Sequence, residues 1–290
     1  QIGDRCVYVE VDAVLPKTNP EFFFLEKAHY RIQTVKLRGV VSQGIAFSLN
    51  ILPTGLFDVG DDVTDVLGIV QYIPKGSMGD IIGAGEFPSF ISKTDETRVQ
   101  SLGELLKKNV GLKCDYTEKI DGTSATYFVK DGVFGVCSRN QQLTHSEGAY
   151  WDMATKYDIE KKLKSYGRNI AIQGEIAGPG VQGNKYQFAE KRLFVFNVIE
   201  IDSREYYNNM KVAEFCIGNE FLSVPILGLY TITDDVDRVV EMSDGFSVFN
   251  NKIPREGIVI RAIEDYNDPI DGRISFKAIN PKFELKFKGD

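Results

Sequence analysis

The sequence has little cysteine and less histidine. Its 290 residues include four cysteines and two histidines. Cys6, Cys114, Cys137 and Cys216 form no CxxC pair, which argues against a zinc site or a disulfide framework and favours a reducing compartment. Long apolar runs are missing: none approaches the roughly 18 residues needed to cross a bilayer, and the start is not signal-like. The expected location is therefore intracellular, with cytoplasm and nucleus equally open. No GxxxxGK[ST] occurs, which removes P-loop chemistry, and there are no internal repeats or low-complexity tracts. Positive charge is in deficit at a net −7, so no basic surface is visible in the average, although a few lysines and arginines can build one locally.

What is present falls into two parts, and the apolar content of 43% suffices for proper cores in both. The first part alternates short β-rich runs with Gly, Pro and Asn turns: RCVYVEVDAVL, YRIQTVKL, GIAFSL and DVTDVLGIVQYI. Strands of that length and spacing predict a small β-barrel, and a five-stranded OB-fold fits. Residues 74–93, PKGSMGDIIGAGEFPSFISK, have the Gly, Pro and Ser content of a linker. The boundary is placed near residue 80, giving an OB-like nucleic-acid-binding domain over 1–80 and a second domain over 81–290. QIGDRCVYVEVDAVLP reads as the middle of a domain, so residues are expected upstream of Gln1.

The second part mixes two periods. YWDMATKYDIEKKLKSY, with apolar Tyr150, Met153, Ala154, Tyr157 and Leu163, predicts an amphipathic helix with a lysine-rich outer face. ATYFVK, VFGVCS, IAIQGEI, RLFVFNVIEI, GIVIRA and RISFKAI read as strands. Helices and strands do not alternate strictly, so the expected class is α+β on antiparallel sheets rather than a doubly wound fold.

Within this part, Lys119 ends an apolar β-prone run, beside Glu118 and two residues before Asp121, at the edge of a Gly/Thr/Ser turn. Asp131-Gly132 between two alternating runs predicts a two-residue hairpin. With Lys130 and Val133 flanking the turn, Arg139 falls opposite Ser124 and returns to the loop that holds Lys119. A lysine attacks as a nucleophile only when unprotonated, which requires burial or nearby positive charge such as a metal ion. The flanking acids would by themselves oppose this, and they make sense if they serve a base edge or a metal with its waters. A lone KxDG is compatible with a plain surface lysine.

Further motifs follow in order. After Lys119-Ile120-Asp121-Gly122 come Ser138-Arg139, IAIQGEI with Glu175, LFVFNVIEI with Phe194 and Phe196, EGIVIR from Glu256 to Arg261, and ISFKAINPKF with Lys277. This series resembles motifs I to V of the covalent nucleotidyltransferases, the superfamily of ATP-dependent polynucleotide ligases and mRNA capping enzymes. EKIDGTS, FPSFISKTDETRVQSL and GEIAGPGVQGNKY look most like RNA ligases of the RNA ligase 5 family, which carry an amino-terminal OB module. DNA ligases usually place that module after motif V, whereas here the OB-like runs come first.

The resemblance implies a nucleotidyltransferase domain of the ATP-grasp/DNA-ligase type and three nucleotidyl transfers. Lys119 would attack the α-phosphate of ATP and release pyrophosphate. AMP would then pass to an RNA 5′-phosphate, and a 3′-hydroxyl would expel it, as in nick sealing during RNA repair. Such chemistry depends on positioning and charge neutralisation. By the same resemblance Asp121, Glu175 and Glu256 would hold Mg²⁺ or Mn²⁺ through water. Glu118 would read the adenine edge, Arg139 would reach ribose or phosphate, and Phe196, sharing a strand face with Phe194, would stack on the base. Lys277 would contact the α-phosphate. The usual second lysine of motif V is Ile279 here, and Lys286 or Lys288 would replace it. Tyr30, Arg31, Lys36 and Arg38 would line a nucleic-acid path, with exposed edge-strand charges as the plain alternative. The partner implied is RNA, as nicked duplex or free ends, with no membrane, and the chain is expected to act as a monomer. A capping guanylyltransferase, a DNA ligase and a non-catalytic nucleic-acid binder that kept the fold are the alternatives. The nucleotide that becomes attached and the strand that becomes sealed distinguish them.

Overall fold

A computed structural model of the chain describes residues 3–37, 40–72, 83–145, 148–264, 267–268 and 272–287. The chain divides into two units, Gln1–Gly76 with Pro281–Asp290, and Ser77–Asn280.

The first unit contains β1 (Val7–Glu10), β2 (Ala13–Val14), a 3-10 helix Pro20–Ala28, β3 (Val35–Leu37), β4 (Val40–Ser42), β5 (Gly44–Phe47), α1 (Thr64–Leu67), β6 (Val70–Gln71) and the C-terminal helix Pro281–Phe287. The expected barrel is not formed. Among the described residues the strands pair only two by two, β1 with β5, β2 with β6 and β3 with β4, and no sheet closes. The reason lies in the backbone: RCVYVEVDAVL is not one strand, because Asp12 takes a left-handed φ of 67° between β1 and β2. Pieces of two to four residues cannot carry the continuous staggered ladder that closure requires. The unit is held instead by an apolar cluster that includes Val7, Val9, Leu15, Phe22, Ile32 and Phe47. Its C-terminal helix is fastened by the buried Glu284, which accepts a hydrogen bond from Gln43 Nε2 at 2.9 Å and another from the Thr34 hydroxyl.

The second unit runs β7 (Gly83–Glu86), β8 (Thr97–Arg98), α2 (Gly103–Lys108), β9 (Lys113–Lys119), β10 (Thr123–Lys130), β11 (Val133–Cys137), β12 (Gln141–Leu143), α3 (Ala149–Lys156), α4 (Ile159–Lys164), β13 (Ile170–Ala177), β14 (Arg192–Glu200), β15 (Glu205–Tyr206), α5 (Asn209–Gly218), β16 (Leu222–Ser223), β17 (Ile226–Thr231), α6 (Val236–Met242), β18 (Gly257–Ala262), β19 (Asn267–Asp268), β20 (Gly272–Arg273) and β21 (Ser275–Ile279). One sheet has the order β15-β14-β13-β10-β11-β12-β7, with β16 beside β14. A second has the order β17-β9-β18-β21-β8. Pairing is antiparallel except for β14 with β16 and β21 with β8. Helices α3, α4 and α5 cover one face of the first sheet around Tyr127, Ile170, Ile172 and Val195. Helices α2 and α6 cover the second around Cys114, Ile258, Ile260 and Phe276.

Two local readings have distinct outcomes. The Asp131-Gly132 turn forms with both residues at positive φ, 51° and 77°, and the register holds from Lys130↔Val133 to Thr126↔Cys137. The ladder stops there, so Arg139 leaves the strand before it can face Ser124. The helix expected over Tyr150–Tyr166 is two helices, because Asp158 adopts φ 49° between α3 and α4. Each piece still buries its apolar side, Tyr150, Met153 and Ala154 from α3 and Ile159 and Leu163 from α4.

Candidate active site

Lys119 is the last residue of β9, in the second sheet, and Thr123 is the first of β10, in the first sheet. Lys119-Ile120-Asp121-Gly122 is thus the corner at which the chain passes from one sheet to the other. Gly122 is required by crowding: a Cβ there would stand 2.3 Å from the Ile176 carbonyl oxygen and 2.9 Å from Glu175 Cγ. Gly257 meets a similar constraint, 2.3 Å from the Ala278 carbonyl oxygen. These two glycines let the backbone of motif I lie against β13 and that of motif IV against β21.

Strand register then gathers the charges. Gly257 pairs with Lys119, so Glu256 comes one residue beyond, and Val259 lies between Thr117 and Lys277. Because side chains alternate along a strand, Lys119, Thr117, Arg261 and Lys277 share one face of the second sheet. Ile258, Ile260 and Phe276 point to its helical face. Lys119 Nζ reaches Glu256 Oε2 at 2.7 Å. Asp121 Oδ2 is bound by Lys185 Nζ at 2.7 Å, and the Asp121 amide donates to the Tyr186 hydroxyl at 2.7 Å. Glu175 pairs across the ladder with Ser124.

Burial and charge set the protonation of this cluster. Burial pulls the Lys119 ammonium down, but Glu256, Glu175 and Asp121 together outweigh it and hold the pKa above the ordinary lysine value. Glu175 is pushed up to about 8, first by burial and then by Glu256 and Asp121, against the pull of Lys119 and Arg139. Asp121 is raised by burial and by Glu256, with Lys185 opposing. Lys277 is lowered to about 8 by burial and by the charges of Lys119 and Arg98. In this structure, therefore, the nucleophile expected from the sequence is a locked ammonium and Lys277 is the more readily deprotonated lysine.

The remaining expected residues are distributed unevenly. Arg139 is half-buried, donates to Asp95 Oδ1 at 2.6 Å and acts on Glu175 through its charge. Glu118 is fully buried and one residue out of phase with Lys119. Its Oε2 accepts from the Val248 amide at 2.9 Å, and the Ser247 hydroxyl is a further hydrogen-bond partner of the carboxylate. A register shift at Gln173/Gly174 leaves Phe196 at a bulge, where strict alternation no longer fixes its face relative to Phe194. Phe194, directly opposite Glu175, is buried in a ring cluster with Phe249 at 4.8 Å and Phe188 at 5.7 Å. Phe196 is half-buried, and its carbonyl accepts from Arg261 Nη1 at 2.5 Å. Lys286 belongs to the first unit, exposed, with its ammonium 5.2 Å from the Phe287 ring. Tyr30 and Arg31 are in that unit as well. Tyr30 is buried, and Arg31 is paired with Asp12 at 2.7 Å and packed over Tyr72. Arg38 and Lys288 lie outside the described residues.

Motif spacing did not reveal several participants. Lys185 and Tyr186 come from the loop after motif III, inside the GEIAGPGVQGNKY stretch. Thr94, Asp95 and Glu96 form a strap: Thr94 Oγ1 lies 2.6 Å from Ser124 Oγ, Asp95 holds Arg139, and Glu96 Oε1 takes Ser275 Oγ at 2.7 Å and Arg261 Nη2 at 3.1 Å. Arg261, buried, also donates to Asn209 Oδ1 at 3.0 Å, and so ties the second sheet to the bulge of the first. The sequence signal for these was the KTDE and GNKY stretches, quoted above for their resemblance but without roles.

Comparison with known proteins agrees with this geometry. The RNA ligase family model matches residues 115–279, and a model of an OB-fold domain matches residues 1–49. No curated protein matches the chain. Among solved structures, RNA ligase of Naegleria gruberi is similar in several states. A lysine-to-alanine mutant with ATP and Mn is 33% identical, with a TM-score of 0.90 over 99% of this chain and 87% of that one. An apo aspartate-to-alanine mutant gives 33% and 0.89 over the same shares. The form with pyrophosphate gives 34% and 0.88, covering 99% and 88%.

Proposed function

The chain belongs to the RNA ligase family, and from that premise we propose that Lys119 is its nucleophile and the acids around it its metal shell. The activity is that of an ATP-dependent RNA ligase, which joins a 3′-hydroxyl to a 5′-phosphate through a lysyl-AMP intermediate and an adenylylated RNA end. It uses ATP and a divalent metal, Mn²⁺ or by the same oxygen chemistry Mg²⁺. The observation that carries the assignment to Lys119 is the 2.7 Å ion pair with Glu256 at the corner between the two sheets. Three carboxylates from three separate motifs, Glu256, Glu175 and Asp121, act on its charge.

The donor set fits a hard cation. Asp121, Glu175 and Glu256 offer only oxygens, and burial together with their mutual repulsion already raises Asp121 and Glu175. Among the described residues no three such side chains converge to ligate an ion directly, so these three would hold it through its waters, as Mg²⁺ in particular allows. A bound divalent cation would supply positive charge that neutralises the carboxylates and the phosphate oxygens. The other roles fall to the chain itself. Burial favours the neutral amine of Lys119 once Glu256, Glu175 and Asp121 no longer hold its proton. Its Nζ then forms a bond to the α-phosphorus as the bond to the bridging oxygen of pyrophosphate breaks. Lys277, whose own ammonium is easily lost, and Arg139 meet the phosphate or ribose oxygens. Glu118 supports adenine selection from behind the strand by fixing Val248, next to the ring of Phe249. The base stacks on Phe196, which is half-buried, whereas Phe194 is closed into its ring cluster with Phe188 and Phe249.

Within the family the reading is an RNA ligase 5 type enzyme, supported by the OB-like stretch preceding motif I. RNA enters as nicked duplex or free ends, and the first unit, 1–80 by sequence, contributes to nucleic-acid binding. The enzyme works inside the cell as a monomer. Among the described residues no helix is long and apolar enough to cross a membrane. The test is incubation with α-labelled ATP or GTP and divalent metal, followed by a denaturing gel and peptide mapping. Label from ATP on the peptide holding Lys119 supports the reading, whereas label from GTP alone, or on another peptide, rejects it.

A further inference from the structure

Three carboxylates surround Lys119, yet only one of them is paired with it. Asp121 is paired with a different cation. Lys185 Nζ lies 2.7 Å from Asp121 Oδ2 and donates as well to the Gln182 carbonyl at 2.7 Å. Both partners of the ion pair are largely shielded, with side-chain exposures of 17% and 11%, so solvent screens their attraction only weakly.

The loop that delivers this lysine is unusual in its backbone. Gln182, Asn184 and Gln187 all have positive φ, 44°, 45° and 60°, and Gly178, Gly180 and Gly183 join them. Left-handed conformations in non-glycine residues are costly and persist where the surroundings impose them. Here the loop is closed by Asn184, whose amide donates to the Phe188 carbonyl at 2.9 Å and whose carbonyl accepts the Phe188 amide at 3.0 Å. The result is that consecutive residues grip the same aspartate, Lys185 at its carboxylate and Tyr186 at its backbone amide. A loop that needed only to connect β13 with β14 would not require that arrangement.

We propose that Lys185 is a built-in counter-ion for Asp121, which competes with the divalent cation for that carboxylate and so sets how tightly the empty site takes up metal. This rests on the reading of Asp121, Glu175 and Glu256 as the metal shell. In this structure each of two lysines takes one acid, Lys119 with Glu256 and Lys185 with Asp121, an arrangement that keeps a negatively charged pocket from attracting metal before nucleotide is present. Arrival of metal displaces the ammonium from Oδ2 while the Gln182 carbonyl retains it. Lys185 is a positioning residue in this account, since it acts on metal through Asp121.

The experiment is titration of the full chain with Mn²⁺ in the absence of nucleotide, with free Mn²⁺ read by electron paramagnetic resonance. Lys185→Met keeps the aliphatic stem and removes the charge, and it is expected to bind Mn²⁺ about tenfold more tightly, the scale of one charge-assisted hydrogen bond. Lys185→Arg keeps the charge and is expected to bind as the wild type does. In an Asp121→Asn background, Lys185→Met is expected to give no tightening. Equal or weaker Mn²⁺ binding by Lys185→Met overturns the proposal. If Asp121→Asn, Glu175→Gln and Glu256→Gln each leave Mn²⁺ affinity unchanged, the metal-shell reading fails and the proposal falls with it. If those variants weaken binding while Lys185→Met does not strengthen it, only the proposal fails.

Discussion

Among the described residues, the first unit buries one charged side chain, Glu284, while the second buries Arg98, Asp115, Glu118, Glu256 and Arg261. Strand length explains part of the difference. The longest strands of the first unit have four residues, whereas β10 and β13 have eight and β14 nine. Short pairs can shelter an aliphatic cluster but leave little room for a second layer of polar contacts. Long sheets that carry their helices on one face leave the other free to satisfy buried charges with one another. A buried ion costs several kcal/mol unless its partners are in place, and the second unit provides them in chains such as Asp115–Asn209–Arg261–Glu96–Ser275. Reactive chemistry, which needs amines and carboxylates out of water, belongs with the scaffold able to hold them.

That contrast can be broken most severely at Arg261. Arg261→Met removes the hydrogen-bonded cation of Glu96 and of the Asn209–Asp115 pair, and the expected loss is about 3–5 kcal/mol of stability, read by denaturant unfolding. A loss below about 1 kcal/mol would mean that the buried network is not what holds the two sheets together. Next comes Glu256→Ala, which releases Lys119 from its ion pair and removes one acid of the proposed metal shell. Adenylylation is expected to fall about 100-fold with a shift to higher metal demand, measured as covalent AMP against Mn²⁺ concentration. An unaltered metal titration would remove Glu256 from the shell. A smaller effect is expected in the first unit, where Glu284→Ala deprives Thr34 and Gln43 of their acceptor and costs about 1–3 kcal/mol while covalent AMP formation is maintained. Loss of adenylylation at unchanged stability would erase the distinction drawn between the units.

The smallest effect is a pH dependence at Lys277. In the folded protein this lysine titrates at about 8, against 10.5 ordinarily. Between those values the unfolded chain holds a proton that the folded chain has released, so the contribution of Lys277 to stability rises with pH across that window. Below about 8 both states are protonated and the contribution is level. The stability difference between wild type and Lys277→Met should therefore move in favour of the wild type from pH 8 to 10, and a flat difference would show that the lysine is not desolvated.

Much of the second unit was legible in the sequence because its strands are long and alternate cleanly. The hairpin at Asp131-Gly132 kept its predicted register down to Cys137, and every apolar run named as a strand there contains one. Legibility failed where single residues adopt left-handed backbone. Asp12 interrupts what reads as one strand, Asp158 divides what reads as one helix, and neither position carries the glycine that would have signalled it. The expected barrel was lost to the first of these. At the site, motif order indicated Lys119, Asp121, Glu175, Glu256 and Lys277, whose charges act on one another in the folded chain. The strap at Thr94–Glu96 and the grip of Lys185 and Tyr186 on Asp121 were not legible, because such contacts join segments separated by 30 to 179 residues and no local period records them. The bulge at Phe196 is a further departure, which period-two counting cannot anticipate.

The whole account depends on which side chain carries the nucleotide. Intact-mass and peptide-level mass spectrometry of the full chain after incubation with ATP and Mn²⁺ tests it directly. One AMP per chain, on Lys119, and absent from Lys119→Ala, is the predicted result. An adduct seated on Lys277 or Lys185, or one that persists in Lys119→Ala, would contradict it.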